Sequence, residues 1–562
     1  MAAIISSNFR LENANNFRQA VSAGAGSEIT SGNFVIGQTY TIISLGDLGS
    51  ETDFTDIGSA NNTLGTSFVA TGVGEGTGTA KTAGSKAYVF IGKSDPWGKT
   101  LSNVPDDIED VPTIPFNTVL EMNDSWQNMI AMKEITSANV INMVPRHDWV
   151  SKIYKPWSDR DETIFGVASD SNEFYVSTSD YRVYKCLYSP GTNSTVMPNH
   201  TTTEPSTLAD DYVWKYMYTI PSYAIDFMTN NYMPVKTVVT QPANENDPDY
   251  PQWIAQQASA ISATKGGIFR IEIVNPDPVN LTTGGANYNS NPSYPPIVTI
   301  LGDGTGATAH AVVNTVSPFN ITEIIIDSPG SGYSVAYLTI ADQASAAGGG
   351  YPLHSAVGNN AYAEPILSPN GGHGTDPARE LGGFYIGIKV SLKYSENGAD
   401  PHAGAFIVDG AFRQIGIIKN PLEIGGTTLA TDTVYNALRS VMVSGMGSNY
   451  SDQINGRAYY GYMYQDATGA KGWIDSFDPD TGLLKYHQND KTGYIPFTLG
   501  AVKTSISNSV GPNIDSFITD PEDVIGYRGV QPFTGQILFL ENRRKIDRAY
   551  NQIEDVKIII EF

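Results

Sequence analysis

The sequence predicts a mainly β, multi-domain protein with a β-sandwich-like core, few short helices and small inserted β-modules. Of its 562 residues, 55 are Gly, 32 are Pro and 31 are Tyr, which favours short strands and turns over long helices. Apolar and polar residues alternate over short segments, and turn-forming residues lie at the ends of these segments. Blocks of ordinary composition alternate with Gly-rich stretches, a pattern typical of modules inserted at surface loops. The length exceeds one ordinary hydrophobic core, so we expect three or more domains or modules.

Residues 1–23 and 84–265 form the first expected core region. Four apolar residues can share one face of a short N-terminal helix, namely Phe9, Leu11, Phe17 and Val21. Strands are expected at 88–92, 173–177 and 182–188, and a short helix is expected at 135–145, ended by Pro145. Residues 226–235 are expected to form a loop or a short helix.

The segment DYVWKYMYTIP at 211–221 carries the densest run of aromatic residues in this region. Strand alternation places Tyr212, Trp214, Tyr216 and Tyr218 on one face, with Val213 and Met217 on the other. Such a strand suits a sandwich core or an interface.

Three further segments are expected to be insertions among core strands. Residues 24–83 predict a Gly/Thr-rich β insertion, and 424–529 predict a Gly-rich β insertion with a hairpin at 473–489. Residues 266–383 predict a duplicated β-module, because strand, Pro/Gly turn, Tyr and strand recur in 268–300 and 321–340. Residues 384–423 and 530–562 are expected to be core strands.

Composition excludes several classes of partner and site. The formal charge of −24 makes nucleic acid an unfavourable partner, because an acidic surface repels phosphates. The N-terminus has no basic region followed by an apolar one, and no apolar run approaches a membrane span, so we expect no signal peptide and no membrane partner. Cys186 is the single cysteine, which excludes an intramolecular disulfide and a Cys-based zinc site. Its alternating strand context predicts a packed thiol.

The short motifs favour structure over chemistry. GDGTGA at 302–307 resembles a dinucleotide-binding turn but precedes an alternating strand, so we predict a β-turn. DPDTG at 478–482 lacks the twelfth-position Glu of a calcium loop and predicts a tight turn. His147 beside Asp148 has no recognisable catalytic partner. The basic stretch ENRRKIDR at 541–548 predicts a salt-bridging interface or surface. We therefore expect no catalytic residue, cofactor or metal.

Eight stretches, in order, resemble the dimerising baseplate wedge subunits of T-even-type contractile-tailed bacteriophages, the gene product eight family. They are NFRLENANNF, FIGKSDPW (90–97), MVPRHDW (143–149), YKCL (184–187), DYVWKYMYTIP (211–221), FRQIGIIKNPLE (412–423), GQILFLENR (535–543) and VKIIIEF. The expected insertions have no counterpart in that family.

The resemblance implies a non-enzymatic scaffold that forms a homodimer within each wedge and contacts other baseplate wedge proteins. It also implies a location in the virion tail baseplate, assembly in the host cytoplasm and a role in sheath contraction. Two alternatives remain open, a receptor- or carbohydrate-binding tail protein and a virion-associated glycan depolymerase.

Large aromatic side chains and the residues beside them in these stretches are the candidate structural or interface anchors. They are Pro96, Trp97, Pro145, Arg146, Trp149, Tyr212, Trp214, Tyr216, Tyr218, Phe412, Arg413, Asn420, Pro421, Glu541, Asn542 and Arg543.

Overall fold

The computed structural model describes most of the chain and divides it into two compact units. The described residues are 5–22, 28–37, 39–82, 85–97, 110–160, 173–262, 266–274, 284–290, 295–341, 361–369, 371–393, 410–423, 429–445, 461–478, 480–506, 514–520, 530–549 and 552–562. Unit 1 contains Met1–Ala14, Ile141–Ile386 and Ile560–Phe562, and unit 2 contains Asn15–Val140 and Gly387–Ile559. Strands greatly outnumber helices, which confirms the predicted mainly β class.

The helices of the described residues are few and mostly short. They are α1 (Ser7–Ser22), α2 (Val119–Gln127), α3 (Ser222–Ile225), α4 (Tyr250–Ser262) and α5 (Pro377–Glu380), with 3-10 turns at Phe54–Ile57 and Ser137–Asn139. The predicted N-terminal helix is confirmed as α1. Its buried side is narrower than expected, because Leu11 and Val21 are buried whereas Phe9 is 55% exposed.

A four-stranded antiparallel sheet lies within the expected insertion at 24–83. Its strands are β1 (Glu28–Thr30), β2 (Thr39–Ser44), β3 (Ser67–Val69) and β4 (Thr79–Thr82), in the order β1-β4-β2-β3. The Phe34 ring lies 4.9 Å from Tyr40, 6.0 Å from Phe54 and 6.1 Å from Phe68. These aromatic contacts give the sheet a small core of its own.

The next strands belong to the expected core region. They are β5 (Ala87–Gly92), β6 (Met129–Glu134), β7 (Val140–Pro145), β8 (Tyr175–Ser177), β9 (Arg182–Tyr188), β10 (Ser206–Thr207), β11 (Val213–Thr219) and β12 (Tyr232–Val235). The predicted strands at 88–92, 173–177 and 182–188 are confirmed as β5, β8 and β9. Strands β8 to β11 form one antiparallel sheet in the order β10-β11-β9-β8.

Two local predictions in this region are wrong. The expected helix at 135–145 is a 3-10 turn followed by β7, and the expected loop or helix at 226–235 ends in β12. The two strands pair with each other, with Asn142 opposite Val235 and Val144 opposite Met233. The local secondary-structure propensity was ambiguous in both segments. They form strands because they pair with each other over a long sequence distance.

The segment predicted to be a duplicated module forms two sheets around a shared core. Its strands are β13 (Ile268–Val274), β14 (Ile297–Gly302), β15 (Thr305–Val313), β16 (Ile321–Ser331), β17 (Ala336–Ala341) and β18 (Tyr362–Leu367). β13 pairs with β18, while the other four form a sheet in the order β16-β15-β14-β17. The repeat-equivalent Tyr288 and Tyr333 are both buried in this core. The predicted turn at 302–307 is confirmed, since β15 and not a helix follows it.

Four strands continue the chain from the repeat to the next insertion. They are β19 (Tyr385–Lys393), β20 (Gly410–Lys419), β21 (Leu422–Glu423) and β22 (Val434–Asn436). The first three confirm the predicted strands within 384–423, whereas β22 lies in the expected insertion at 424–529.

The expected insertion at 424–529 contains a closed six-stranded barrel, which the sequence did not predict. Its strands are β23 (Arg439–Ser444), β24 (Gly461–Tyr464), β25 (Lys471–Asp478), β26 (Leu483–His487), β27 (Gly500–Ile506) and β28 (Ile514–Asp520), closed as β23-β26-β25-β24-β27-β28. The predicted hairpin is β25–β26. Its turn is held by Asp478 Oδ1, which accepts from Asp480 N–H at 3.0 Å, and Gly482 supplies φ +78°.

The last strands lie between residues 530 and 561, and one of them completes the five-stranded sheet of unit 2. They are β29 (Val530–Gln531), β30 (Gln536–Arg548) and β31 (Ile553–Glu561). The five-stranded sheet has the order β22-β6-β5-β20-β30. It therefore combines β5 and β6, which lie early in the sequence, with β30, which lies near its end.

Candidate structural and interface sites

Three of the resembling stretches meet in the five-stranded sheet of unit 2. FIGKSDPW ends β5, FRQIGIIKNPLE supplies β20, and GQILFLENR begins β30. Gln414 on β20 is paired with Gly92 on one side and with Asn542 on the other. The Gln414 side-chain amide also donates to Asn542 Oδ1 at 2.9 Å. Tertiary pairing thus assembles residues that lie more than 300 positions apart.

A buried ion pair organises the anchors beside this sheet. Arg413 is fully buried, and its Nε donates to Asp110 Oδ2 at 2.7 Å. Asp110 Oδ1 accepts from Trp97 N–H at 2.8 Å, and Trp97 Nε1–H donates to the Arg543 carbonyl at 2.8 Å. Trp97, Arg413 and Arg543 were all predicted anchors, and Asp110 is the link that the sequence did not single out. Pro96 is buried next to Trp97.

The Asn420–Pro421 pair forms the turn after β20. Asn420 has φ +53°, a left-handed conformation that Asn tolerates better than most residues. Its Oδ1 accepts from Lys86 N–H at 2.9 Å, and the Pro421 carbonyl accepts from Ala430 N–H at 2.9 Å. Phe412, at the other end of β20, is buried.

The basic stretch at 541–548 forms ion pairs, as the sequence predicted. Arg543 Nε lies 2.9 Å from Glu541 Oε1, and Lys545 Nζ lies 2.9 Å from Asp547 Oδ1. Arg548 Nη2 lies 2.8 Å from Glu554 Oε2. Three of its four cations are therefore balanced by carboxylates, which is unlike a phosphate-binding patch.

The adjacent His147 and Asp148 in unit 1 bind different partners. Arg146 holds Asp148 through two contacts of 2.8 Å, and these bonds to the carboxylate lower the pKa of Asp148 against the opposing effect of burial. His147 Nδ1 lies 3.2 Å from Glu173 Oε1. The pair thus forms a structural network rather than a proton relay.

The anchors that flank this network connect it to β8. The Pro145 carbonyl accepts from the Tyr175 hydroxyl at 2.8 Å. Trp149 N–H donates to the Ser177 carbonyl at 2.9 Å, and its Nε1–H donates to Ser194 Oγ at 3.3 Å. Trp149 is half-buried and packs against the aromatic cluster of β11.

The aromatic residues of β11 are buried rather than presented at the surface. Tyr212 and Trp214 stack with centroids 5.8 Å apart, and the Tyr212 hydroxyl donates to the Thr192 carbonyl at 2.7 Å. The Tyr218 hydroxyl donates to the Pro234 carbonyl at 2.8 Å. Tyr216 lies 5.8 Å from the Tyr184 ring. A β-bulge between Tyr216 and Tyr218 interrupts the alternation, and both faces of β11 are covered.

Two buried lysines on neighbouring strands form a site that the sequence analysis missed. Lys185 on β9 pairs with Glu380 of α5, and both side chains are almost completely buried. Lys215 on β11 is buried too, but among the described residues its Nζ hydrogen-bonds only to the Thr203 carbonyl and to Ser259 Oγ, the latter at 2.8 Å. The sequence analysis did not single out either lysine, because a lysine in an alternating strand ordinarily points to solvent.

A glycine-rich loop brings His373 next to these lysines. Gly372 and Gly374 have φ +94° and +91°, and a Cβ on Gly374 would lie 2.8 Å from Lys215 Cε. Gly374 N–H donates to Glu380 Oε1 at 2.7 Å. The His373 ring packs edge-on against Trp157 at 5.0 Å. Burial and the nearby lysines lower the pKa of His373 well below its ordinary value, so the imidazole is neutral.

Cys186 lies beside Lys185 on β9 and is fully buried among aromatic rings. Burial raises the pKa of its thiol far above the ordinary value, so the thiolate is not formed at neutral pH. This agrees with the predicted packed thiol.

Neither a metal-binding cluster nor a membrane-spanning helix occurs in the part of the chain that the structure describes. Within it, no group of three or more His, Cys, Asp or Glu side chains is arranged to hold a metal ion. No helix among the same residues is long and apolar enough to cross a membrane.

Comparison with known proteins gives two matches. Residues 73–209 match the family model described as Bacteriophage T4, Gp8. The baseplate wedge protein gp8 of Enterobacteria phage T4 is 24% identical over 177 residues, which cover 26% of this chain and 52% of that protein. The chain thus spans about half the length of the curated relative that it matches. The resemblance is confirmed over this part, which includes FIGKSDPW, MVPRHDW and YKCL.

Proposed function

We propose that this chain is a structural protein of the baseplate wedge of a contractile-tailed bacteriophage, located in the tail baseplate of the virion. The similarity of residues 73–209 to a baseplate wedge protein carries the proposal. That segment supplies β5 and β6 of the five-stranded sheet of unit 2. It also supplies β8 and β9, which belong to the same sheet as β11 in unit 1. The matched residues therefore belong to the cores of both units.

We further propose that two copies associate within each wedge and that the dimer holds neighbouring wedge proteins during assembly and sheath contraction. The anchors divide by burial into two groups. Tyr212, Trp214, Tyr218, Phe412 and Arg413 are buried and shape the sheets. Arg146, Trp149, Glu541, Asn542 and Arg543 are half-buried and remain candidates for contacts with neighbours.

We infer that the chain acts by binding and not by catalysis. Its relative is named a baseplate wedge protein, and His147 and Asp148 of unit 1 contact different partners, Glu173 and Arg146. The buried Cys186 is unsuited to nucleophilic attack.

Quantitative mass spectrometry of purified phage particles tests the proposal. We expect about twelve copies of the chain per particle, because the proposed dimer would place two copies in each of six wedges. A copy number that is a multiple of three and matches that of the tail fibres would favour receptor or carbohydrate binding instead. Absence from the particle would overturn the structural assignment.

A further inference from the structure

The buried cluster in unit 1 carries one more positive charge than its carboxylates balance. Lys185 and Lys215 are both buried, and Glu380 forms its ion pair with Lys185. Lys215 makes no ion pair with a carboxylate of the described residues. The neighbouring Arg270 is matched by Glu272. Because an uncompensated buried charge is costly, a local excess of one positive charge favours the binding of an anion.

Hydrogen-bonding capacity at the same place is also unused. Neither ring nitrogen of His373 has a hydrogen-bond partner among the described residues, although both are buried. Ser259 Oγ accepts from Lys215 Nζ, so the hydroxyl proton of Ser259 is available to a further acceptor. A buried donor without an acceptor destabilises the folded state. Three donors, on Lys215, Ser259 and His373, therefore converge without a common acceptor.

These three side chains line a cavity of about 310 Å³. Its other walls are largely apolar and include Pro205, Ile268, Phe269, Ile326 and Pro329. The exposed Glu204 also lines it and attracts the Lys215 charge, but the two side chains form no ion pair. Apolar walls with a few convergent polar groups are typical of a small-ligand site.

We propose that this cavity binds a carboxylate on a short aliphatic stem, with Lys215, Ser259 and His373 as the donors to its oxygens. The stem lies against the apolar walls, and the carboxylate neutralises the excess charge. A singly charged group matches the excess of one, whereas a phosphate dianion would leave a buried negative charge. Burial lowers the pKa of Lys215 to about 8, and a bound carboxylate would stabilise its charged form.

Calorimetric titration of the full chain with glutarate tests the site, because one of its two carboxylates can enter the cavity while the other stays in solvent. We expect saturable binding of one glutarate per chain at constant ionic strength. Lys215→Met should weaken it at least about tenfold, because a charge-assisted hydrogen bond is lost. Lys503→Met is the matched control, since Lys503 is a half-exposed lysine of unit 2, and it should bind like the unchanged chain. Absence of binding, or equal binding by the Lys215→Met variant, would overturn the proposal.

If Lys215→Met does not fold, NMR spectroscopy provides a second measurement of binding. In histidine-labelled protein, glutarate should shift the NMR resonance of His373, identified by its loss in His373→Phe. An unmoved His373 resonance would contradict direct contact with the ligand.

Titration with a peptide distinguishes two sources of the carboxylate, an acidic side chain of a neighbouring protein and a free carboxylate. A blocked glutamyl peptide that binds more tightly than glutarate would indicate an acidic side chain of a neighbouring protein. Weaker binding of the peptide would indicate a free carboxylate. Only the neighbouring-protein outcome rests on the proposed wedge function, and glutarate binding can fail or succeed whatever the copy number in the particle.

Discussion

Arg413 illustrates how one buried charge connects distant parts of unit 2. Its guanidinium binds Asp110, which in turn accepts from the backbone of Trp97. Removing one member of such a pair leaves the other buried and uncompensated.

We predict that Arg413→Met lowers the free energy of unfolding by about 3–5 kcal/mol, because Asp110 then lacks its cation. Urea denaturation followed by tryptophan fluorescence measures the change. The control is Asp466→Asn, at an exposed pair with Lys503, and should change it by less than about 1 kcal/mol. Adding Asp110→Asn to Arg413→Met should recover part of the loss. Equal effects of the Arg413 and Asp466 variants would contradict a structural role for the buried pair.

Asp475 on β25 is a residue whose titration should be visible in the stability of the barrel. Burial raises the pKa of its carboxyl to about 7, against a smaller lowering effect of Lys485. The folded pKa thus exceeds the unfolded value near 3.8. The folded state retains the proton longer, so this contribution to stability is full below about pH 4 and is lost as the pH rises to about 7.

We therefore predict that Asp475→Asn reduces the fall in stability between about pH 4 and pH 7.5. Thermal unfolding at a series of pH values measures it, with the exposed Asp466→Asn as the control. If the unchanged chain and Asp475→Asn follow parallel pH curves, the carboxyl does not titrate in this window.

Among the elements, β13 and β18 define where the duplicated module can be cut. Ile268 is paired with Leu367, and Ser368 N–H donates to the Gly267 carbonyl at 3.1 Å, so the module's ends are adjacent. Residues 369–383, by contrast, contain Glu380, the buried partner of Lys185. We infer that the separable module is 268–367, narrower than the 266–383 expected from the repeat.

Replacing residues 268–367 with a short Gly/Ser linker should leave unit 1 folded, since the chain ends are close and the Lys185–Glu380 pair remains. Removing 266–383 should unfold unit 1, because Lys185 is then buried without its carboxylate. Circular dichroism and limited proteolysis compare the two deletions. Equal stability of both proteins would show that the boundary does not matter.

At the scale of the whole molecule, the formal charge of −24 opposes association between copies. If the proposed dimer forms, long-range repulsion between its chains should weaken as salt is added, since the screening length shortens. We predict that the dimer dissociation constant falls between about 50 and 500 mM NaCl, as sedimentation equilibrium can measure. A constant that rises with salt would mean that ion pairs across the contact outweigh the net repulsion.

The sequence by itself determined the mainly β class, most strands with strong alternation and the tight turns. These features depend on local backbone preference and period, which neighbouring residues specify. It also supported the resemblance to baseplate wedge proteins, which the match over 73–209 confirms. The DPDTG hairpin and the turn at 302–307 followed from the same local signals.

Tertiary structure decided the features that depend on long-range pairing and burial. Segments 135–145 and 226–235 became β7 and β12 because they pair with each other. Closure of the barrel requires contact between its first and last strands, β23 and β28, which no local pattern specifies. Lys185 and Lys215 look like ordinary strand lysines, and only the packing of α4, α5 and the 371–374 loop buries them with one carboxylate between them. Burial converts their charges from a solvated surface into a candidate site, because charge is costly only where water is excluded.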